Sequence, residues 1–84
     1  MNVIYAKHFV QMLERAPKGI RGLFFRQEAF FKINWRDPRL HTKRLHGRPI
    51  LFSFRITRNY RVIFIFVQHD TTLFTAIGNR KDIY

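Results

Sequence analysis

The chain has 84 residues, of which 46% are hydrophobic, and it carries sixteen Lys and Arg against five Asp and Glu. This apolar content, which includes ten phenylalanines, excludes a disordered chain, and the length predicts a single compact domain over residues 1–84. The absence of cysteine excludes disulfide scaffolds, thiolate zinc sites and thiol nucleophiles. The net charge of +11 favours a polyanionic partner, which is nucleic acid, an anionic membrane surface or an acidic protein.

The N-terminal region gives no sign of export. Residues 1–11 lack the charged segment followed by an apolar stretch that a secretion signal shows. No apolar run approaches the roughly 18 residues that a membrane-spanning helix needs. We therefore expect a cytoplasmic protein that has no membrane partner.

The first half of the chain predicts one strand and two helices. Residues 2–6 form a short apolar run, after which the apolar residues recur at helical spacing. One helix is expected from Lys7 until Pro17 ends it, and a second helix from 18 to 33. The apolar positions of the second helix predict core packing. A polar set on this helix is expected to face away from the core: Arg21, Arg26, Gln27 and Lys32.

The second half predicts a cation-rich connector and three strands. The connector covers residues 34–50, and Asp37 and Pro38 predict a turn within it. Alternating apolar residues predict strands at 51–56, 60–67 and 72–77. The order β-α-α-β-β-β indicates an α+β fold in which two helices pack on one face of a twisted antiparallel sheet.

The first predicted hairpin places two arginines opposite each other. A three-residue loop at 57–59, in which Asn59 tolerates the left-handed conformation, pairs Arg55 with Arg61 on the face that the helices leave uncovered. Opposed like charges destabilise a sheet, and five acids cannot neutralise sixteen cations. We therefore expect both guanidinium groups to converge on a bound phosphate, whose oxygens match an arginine fork. The alternative is that each arginine pairs with a carboxylate.

Three segments resemble the RelE/ParE superfamily of small bacterial toxins, and most closely its RelE-like branch. The branch reads approximately D-P-R-L-x-T-H-x-L-x-G, then S-F-x-(loop)-R-V-I-F, then I-G-x-H-x-(D/E)-x-Y. The corresponding segments here are DPRLHTKRLHG at 37–47, FSFRITRNYRVIF at 52–64 and AIGNRKDIY at 76–84. The resemblance implies a toxin that cuts messenger RNA at the ribosome as an endoribonuclease, with no metal or other cofactor. It also implies an acidic antitoxin that binds this toxin in a hetero-oligomer.

The resemblance also implies where the site residues lie. The cationic strand residues of the family correspond to Arg55 and Arg61, and its C-terminal catalytic aromatic corresponds to Tyr84. The histidines of its connector motif and of its last motif correspond to Lys43 and Arg80, which are departures from the family pattern. Further candidates for RNA binding come from the connector and the hairpin loop: Arg39, His41, Arg44, His46, Arg48 and Arg58.

RNA cleavage without a metal requires three chemical roles. A base takes the 2′-hydroxyl proton, cations stabilise the phosphorane, and an acid protonates the leaving 5′-oxygen. We expect Arg55, Arg61 and Arg80 to stabilise charge and Lys43 to be the candidate base. Tyr84 is expected to be the acid or to stack on an RNA base, and the alternative is a structural role at the sheet edge.

Two other functions remain open at this point. The first is a ParE-like toxin that inhibits gyrase and leaves RNA intact. The second is a catalytically decayed module that binds RNA or an antitoxin, which the departures at Lys43 and Arg80 favour. A metal centre is not expected, because His41 and His46 have no third ligand near them in the sequence.

Overall fold

The computed structural model describes residues 1–83 and contains five strands, three α-helices and a short 3₁₀ helix. Among these residues, no helix is long and apolar enough to cross a lipid bilayer. The elements in chain order are β1 (Asn2–Tyr5), α1 (Lys7–Arg15), α2 (Lys18–Ile33), the 3₁₀ helix (Pro38–Leu40), β2 (Lys43–Leu45), β3 (Arg48–Arg55), β4 (Tyr60–Gln68), β5 (Thr71–Asn79) and α3 (Arg80–Ile83).

The predicted α+β fold is confirmed, and the structure adds details of pairing. The strands form one sheet in the order β1-β5-β4-β3-β2. β1 pairs with β5 in parallel, whereas all other neighbours are antiparallel, so the sheet is mixed. The connector contributes β2, which the sequence analysis missed because Leu45 is its only apolar residue. β3 and β5 extend beyond the predicted strands at 51–56 and 72–77.

The core is a cluster of phenylalanines between the helices and one face of the sheet. Six of them are fully buried, and each such burial contributes about 1.5–3 kcal/mol. They are Phe9, Phe24, Phe31, Phe54, Phe64 and Phe74. The ring of Phe31 on α2 lies 5.0 Å from Phe64 on β4 and 5.1 Å from Phe54 on β3, measured between centroids. These contacts fix α2 over the two central strands, as the alternation of the strands predicted.

One of the residues predicted to lie on the exposed polar face of α2 does not lie there. Gln27 is buried, with only 4% of its surface exposed. Its Nε2 donates hydrogen bonds to the backbone oxygens of Arg39, at 3.1 Å, and Arg55, at 2.9 Å. A buried amide is tolerated when its hydrogen bonds are satisfied. Gln27 therefore joins α2 both to the 3₁₀ helix and to the end of β3.

The hairpin between β3 and β4 has the predicted register. Arg55 pairs with Arg61, and Phe54 with Val62. The expectation of a left-handed Asn59 is wrong, because His41 is the only non-glycine residue with positive φ in the described part of the chain. The loop closes differently: the Thr57 hydroxyl accepts a hydrogen bond from the Tyr60 N–H at 3.2 Å.

Candidate nucleic-acid interface

The face of the sheet opposite the phenylalanine core carries the predicted arginine pair. Alternation along β3 and β4 places Ser53, Arg55, Arg61 and Ile63 on this face. Of these side chains, only Arg55 is half-buried. Ser53 is fully buried, and Arg61 and Ile63 are each only 4% exposed.

The burial of Arg61 follows from its position in the sheet. β4 is the central strand, so Arg61 has Arg55 on one side and Gly78 of β5 on the other. Its Nη2 donates a hydrogen bond to the backbone oxygen of Arg58 in the hairpin loop, at 3.3 Å. Arg61 therefore lies at the loop end of the sheet, where its charge acts in a partly dehydrated environment.

The helix α3 brings a further cation to the same end of the sheet. The backbone N–H of Arg80 donates a hydrogen bond of 2.7 Å to the backbone oxygen of Asn59. The side chain of Asn79 accepts the N–H of Lys81 at 3.0 Å and so caps the start of α3. The Arg58 loop, Arg61 and the first residue of α3 are thus joined by hydrogen bonds.

The strand β2 places Lys43 beside the arginine pair. Lys43 is the direct cross-strand partner of Ser53, and Arg55 lies two residues further along β3. Such diagonal neighbours are about 7–8 Å apart between Cα atoms and project from the same face. Four of the five predicted catalytic residues therefore occupy connected positions, and the fifth, Tyr84, lies outside the described residues.

The connector is ordered by Asp37, which caps the 3₁₀ helix as its sequence context predicted. The Asp37 carboxylate accepts the Arg39 backbone N–H at 2.9 Å and both Nε and Nη2 of the Arg39 side chain, at 3.0 and 2.7 Å. These hydrogen bonds from Arg39 lower the pKa of Asp37 to about 2 and raise the pKa of Arg39. The Arg39 guanidinium also lies 3.6 Å from the ring centroid of Phe30. Arg39 is therefore held by a carboxylate on one side and an aromatic ring on the other.

A cationic pocket lies between α2, the connector and the end of β3. It has a volume of about 540 Å³, and we call it the α2–connector pocket. Its walls include Arg26, Gln27, Phe30, Arg39, His41 and Arg55. The pocket brings together three predicted residues from the connector and β3. Arg26 was missed, because the sequence gives no signal that α2 packs beside the connector.

The remaining connector cations surround the turn between β2 and β3. A cavity of about 510 Å³ is lined by Lys43, Arg44, Leu45, His46 and Arg48. Arg44 pairs with Phe52 and its guanidinium lies 5.2 Å from that ring, so it projects from the face opposite Lys43. The predicted RNA-binding residues therefore do not form one surface. They divide between this turn, the α2–connector pocket and the hairpin loop.

The arrangement has the chemical character of an anion-binding surface. Two of the places where the cationic side chains gather are pockets, and the described residues that line them include five arginines and one lysine but no acid. In the described residues, the two salt bridges are Lys32 with Glu28 and Arg39 with Asp37, and neither involves Arg55. Within residues 1–83, no three His, Asp or Glu side chains lie close enough to share a metal ion.

The similarity of this chain to known proteins is found by comparing structures. No protein-family model matches the sequence, and no curated protein sequence matches it significantly. The fold is similar to a chain of the RelB–RelE antitoxin–toxin complex from Methanococcus jannaschii, with 28% identity and a TM-score of 0.77, over 96% of this chain and 94% of that chain.

Two further solved structures extend this likeness. The archaeal RelE–RelB complex from Pyrococcus horikoshii matches with 20% identity and a TM-score of 0.73, over 96% of each chain. A YoeB/ParE toxin from Agrobacterium tumefaciens matches with 15% identity and a TM-score of 0.72, over 95% of this chain and 99% of that chain. The resemblance seen in the sequence is thereby confirmed: the chain has the RelE fold, and its structural neighbours are RelE/YafQ/YoeB/ParE-family toxins of RelBE-type toxin–antitoxin systems.

Proposed function

We propose that this chain is the toxin of a toxin–antitoxin pair and that it cleaves messenger RNA at the ribosome as a metal-independent endoribonuclease. The observation that carries the proposal is the direct pairing of Arg55 with Arg61 on adjacent strands. Two opposed guanidinium groups would form a binding site for a phosphate. This could be a phosphate with two negative charges or a phosphate of a nucleic-acid backbone. The fold shared with RelE toxins and the net charge of +11 support the same assignment.

The site residues that the resemblance implies would divide the reaction between them as follows. The RNA 2′-hydroxyl attacks the adjacent phosphorus, and Lys43 takes the hydroxyl proton. Arg55, Arg61 and Arg80 stabilise the charge that develops on the phosphorane oxygens. The bond from phosphorus to the 5′-oxygen breaks, and Tyr84 donates a proton to that oxygen. The products are a 2′,3′-cyclic phosphate and a new 5′-hydroxyl end.

The proposed inhibitor is an acidic antitoxin. The structures of the neighbours from M. jannaschii and P. horikoshii contain antitoxin–toxin complexes. The excess of eleven positive charges here would attract a negatively charged chain and speed its association. Such a partner would cover the cationic residues and exclude RNA from them.

The proposal is tested by expressing the chain without an antitoxin and mapping the 5′ ends of cellular messenger RNA. The parent is expected to arrest growth and to generate new 5′-hydroxyl ends. Arg55→Gln is expected to lower the cleavage rate by about 10²–10³. Arg21→Gln is the matched control, because Arg21 is also half-buried but lies on α2 away from the arginine pair.

Three other outcomes would contradict the proposal. An SOS response with intact RNA would indicate a gyrase-directed toxin. RNA binding that depends steeply on salt, with no cut RNA, would indicate a decayed binding module. Cleavage by Arg55→Gln at the parental rate would exclude the arginine pair as the site.

A further inference from the structure

We propose that the α2–connector pocket binds a second backbone phosphate of the RNA, next to the one that is cleaved, and that Arg26 contacts this phosphate. The inference rests on the proposed function for the identity of the ligand. Its physical basis is the geometry of the pocket. The pocket is next to the Arg55–Arg61 pair, and Arg55 belongs to both.

The pocket has the size and the charge of a ligand site. Its volume of about 540 Å³ falls within the roughly 300–1,000 Å³ that is typical of ligand pockets. Three arginines line it, and no acidic residue in the described part of the chain does. Asp37 neutralises Arg39 from outside the pocket through its two side-chain hydrogen bonds. The excess charge therefore comes from Arg26 and Arg55.

The walls of the pocket are held in place before any ligand binds. Gln27 donates hydrogen bonds to the backbone of Arg39 and of Arg55, so it fixes the distance between the connector and β3. Arg26 precedes Gln27 on the same helix. Its position relative to Arg55 is therefore set by a buried residue. The backbone of the pocket is therefore ordered in advance, which lowers the cost of binding an anion there.

Arg26 gives the pocket a cation with capacity for a further acceptor. It is exposed and takes part in neither salt bridge of the described residues. A guanidinium group carries five N–H donors, in a planar fork that matches the oxygens of a phosphate. A phosphate in the pocket would therefore find available donors on Arg26.

The shared residue favours RNA over an acidic protein segment. Arg55 belongs both to the arginine pair on the sheet and to the wall of the pocket. A ligand with phosphates at regular spacing along one strand can occupy both places at once. Every nucleotide of an RNA brings one phosphate, whereas the positions of carboxylates on a natural peptide depend on its sequence. The ligand that best fits the pocket is therefore the same RNA strand that is cleaved at the arginine pair.

The experiment measures binding of a short single-stranded RNA whose 2′-oxygens are methylated, so that it cannot be cut. Arg26→Gln is compared with Arg15→Gln, because both residues are exposed arginines on helices. The logarithm of the association constant for RNA falls linearly with the logarithm of the salt concentration. Loss of one phosphate contact to single-stranded RNA is expected to make this slope shallower by about 0.7. This reduction corresponds to about fourfold weaker binding near 0.15 M salt. Arg26→Lys should restore the slope, since the positive charge is kept.

The outcomes separate this inference from the proposed function. An unchanged slope and affinity in Arg26→Gln would overturn the inference, even if the parent cleaves RNA in cells. If the parent cleaves no RNA but Arg26→Gln still weakens RNA binding, the second phosphate site is supported and the proposed nuclease activity is wrong. If Arg26→Gln weakens binding of a polyglutamate peptide but not of RNA, the pocket is a protein-binding site and the inference is wrong.

Discussion

Arg55 on β3 lies directly opposite Arg61 on β4, at the loop end of the two central strands. The two residues differ in their surroundings, because Arg55 is half-buried whereas Arg61 is almost fully enclosed. Directly opposed like charges weaken a sheet. The pair is therefore expected to make the folded chain less stable than its apolar core alone would, and the proposed binding of phosphate would account for its presence.

This relationship predicts that loss of one charge stabilises the fold while it removes activity. Arg55→Gln should increase the free energy of unfolding by about 0.2–1 kcal/mol, the usual scale of a cross-strand pair. The gain should shrink as salt is added, because salt screens the repulsion. Urea unfolding at low and high salt measures both effects. A loss of stability in Arg55→Gln, relative to Arg21→Gln, would show that the charges do not repel.

Gln27 should be essential for the relative position of α2, the connector and β3. Gln27→Leu removes the donor to two backbone oxygens, those of Arg39 and Arg55. A typical hydrogen bond contributes about 0.5–1.5 kcal/mol net, and two part-buried ones are lost, so the free energy of unfolding should fall by about 1–3 kcal/mol in urea titrations. Gln11→Leu is the control, because Gln11 is exposed on α1. Equal stability of the two variants would contradict this assignment.

The Asp37 carboxylate should titrate at an unusually low pH. Arg39 lowers the pKa of Asp37 to about 2 in the folded chain, against about 3.9 in an unfolded chain. The depressed pKa means that this interaction stabilises the fold above the unfolded value and loses its effect as pH falls from about 4 towards 2. Carbon NMR of the carboxyl group follows the titration.

Two variants test the cause of that shift. Arg39→Gln should return the pKa of Asp37 towards its unfolded value, because the hydrogen bonds to the side chain of Arg39 are lost. Arg36→Gln should leave it unchanged, since Arg36 makes no salt bridge with Asp37 in the described structure. A normal pKa in the parent would show that the fork between Asp37 and Arg39 does not persist in solution.

Gly78 should determine the position of α3. A Cβ atom at Gly78 would lie 2.9 Å from Cγ2 of Ile83, which is so close that the Ile83 side chain or α3 itself must shift. We expect Gly78→Ala to cost about 1–3 kcal/mol and to lower RNA cleavage, because Arg80 begins α3. Thermal unfolding and the mapping of RNA ends measure the two effects.

A double variant and a second glycine provide the controls for α3. Gly78→Ala combined with Ile83→Ala removes the clash and should recover part of the lost cleavage. Gly22→Ala has no atom within 4 Å of the added methyl group, and it lies inside α2. It should raise the free energy of unfolding by about 0.5–1 kcal/mol. If the double variant cleaves RNA no better than Gly78→Ala, the placement of α3 is not what limits activity.

Local patterns in the sequence determined much of this structure. Helical spacing and Pro17 predicted α2 at residues 18–33, where the structure has it. The three-residue loop predicted the pairing of Arg55 with Arg61, although the loop is closed by Thr57 and not by a left-handed Asn59. These features depend on residues that are close in sequence, so spacing and composition are enough to predict them.

Only the tertiary structure decided which distant residues meet. The parallel pairing of β1 with β5, the burial of Gln27 and the enclosure of Arg61 all depend on contacts between separate segments. Gln27 and Arg26 are neighbours on a helix with similar polarity, yet one binds the backbone of two other segments and the other lines a cationic pocket. The hydrophobic pattern of a helix shows which face is buried, but it does not show what packs at the edge of that face. That choice follows from how the helix, the connector and the sheet pack together.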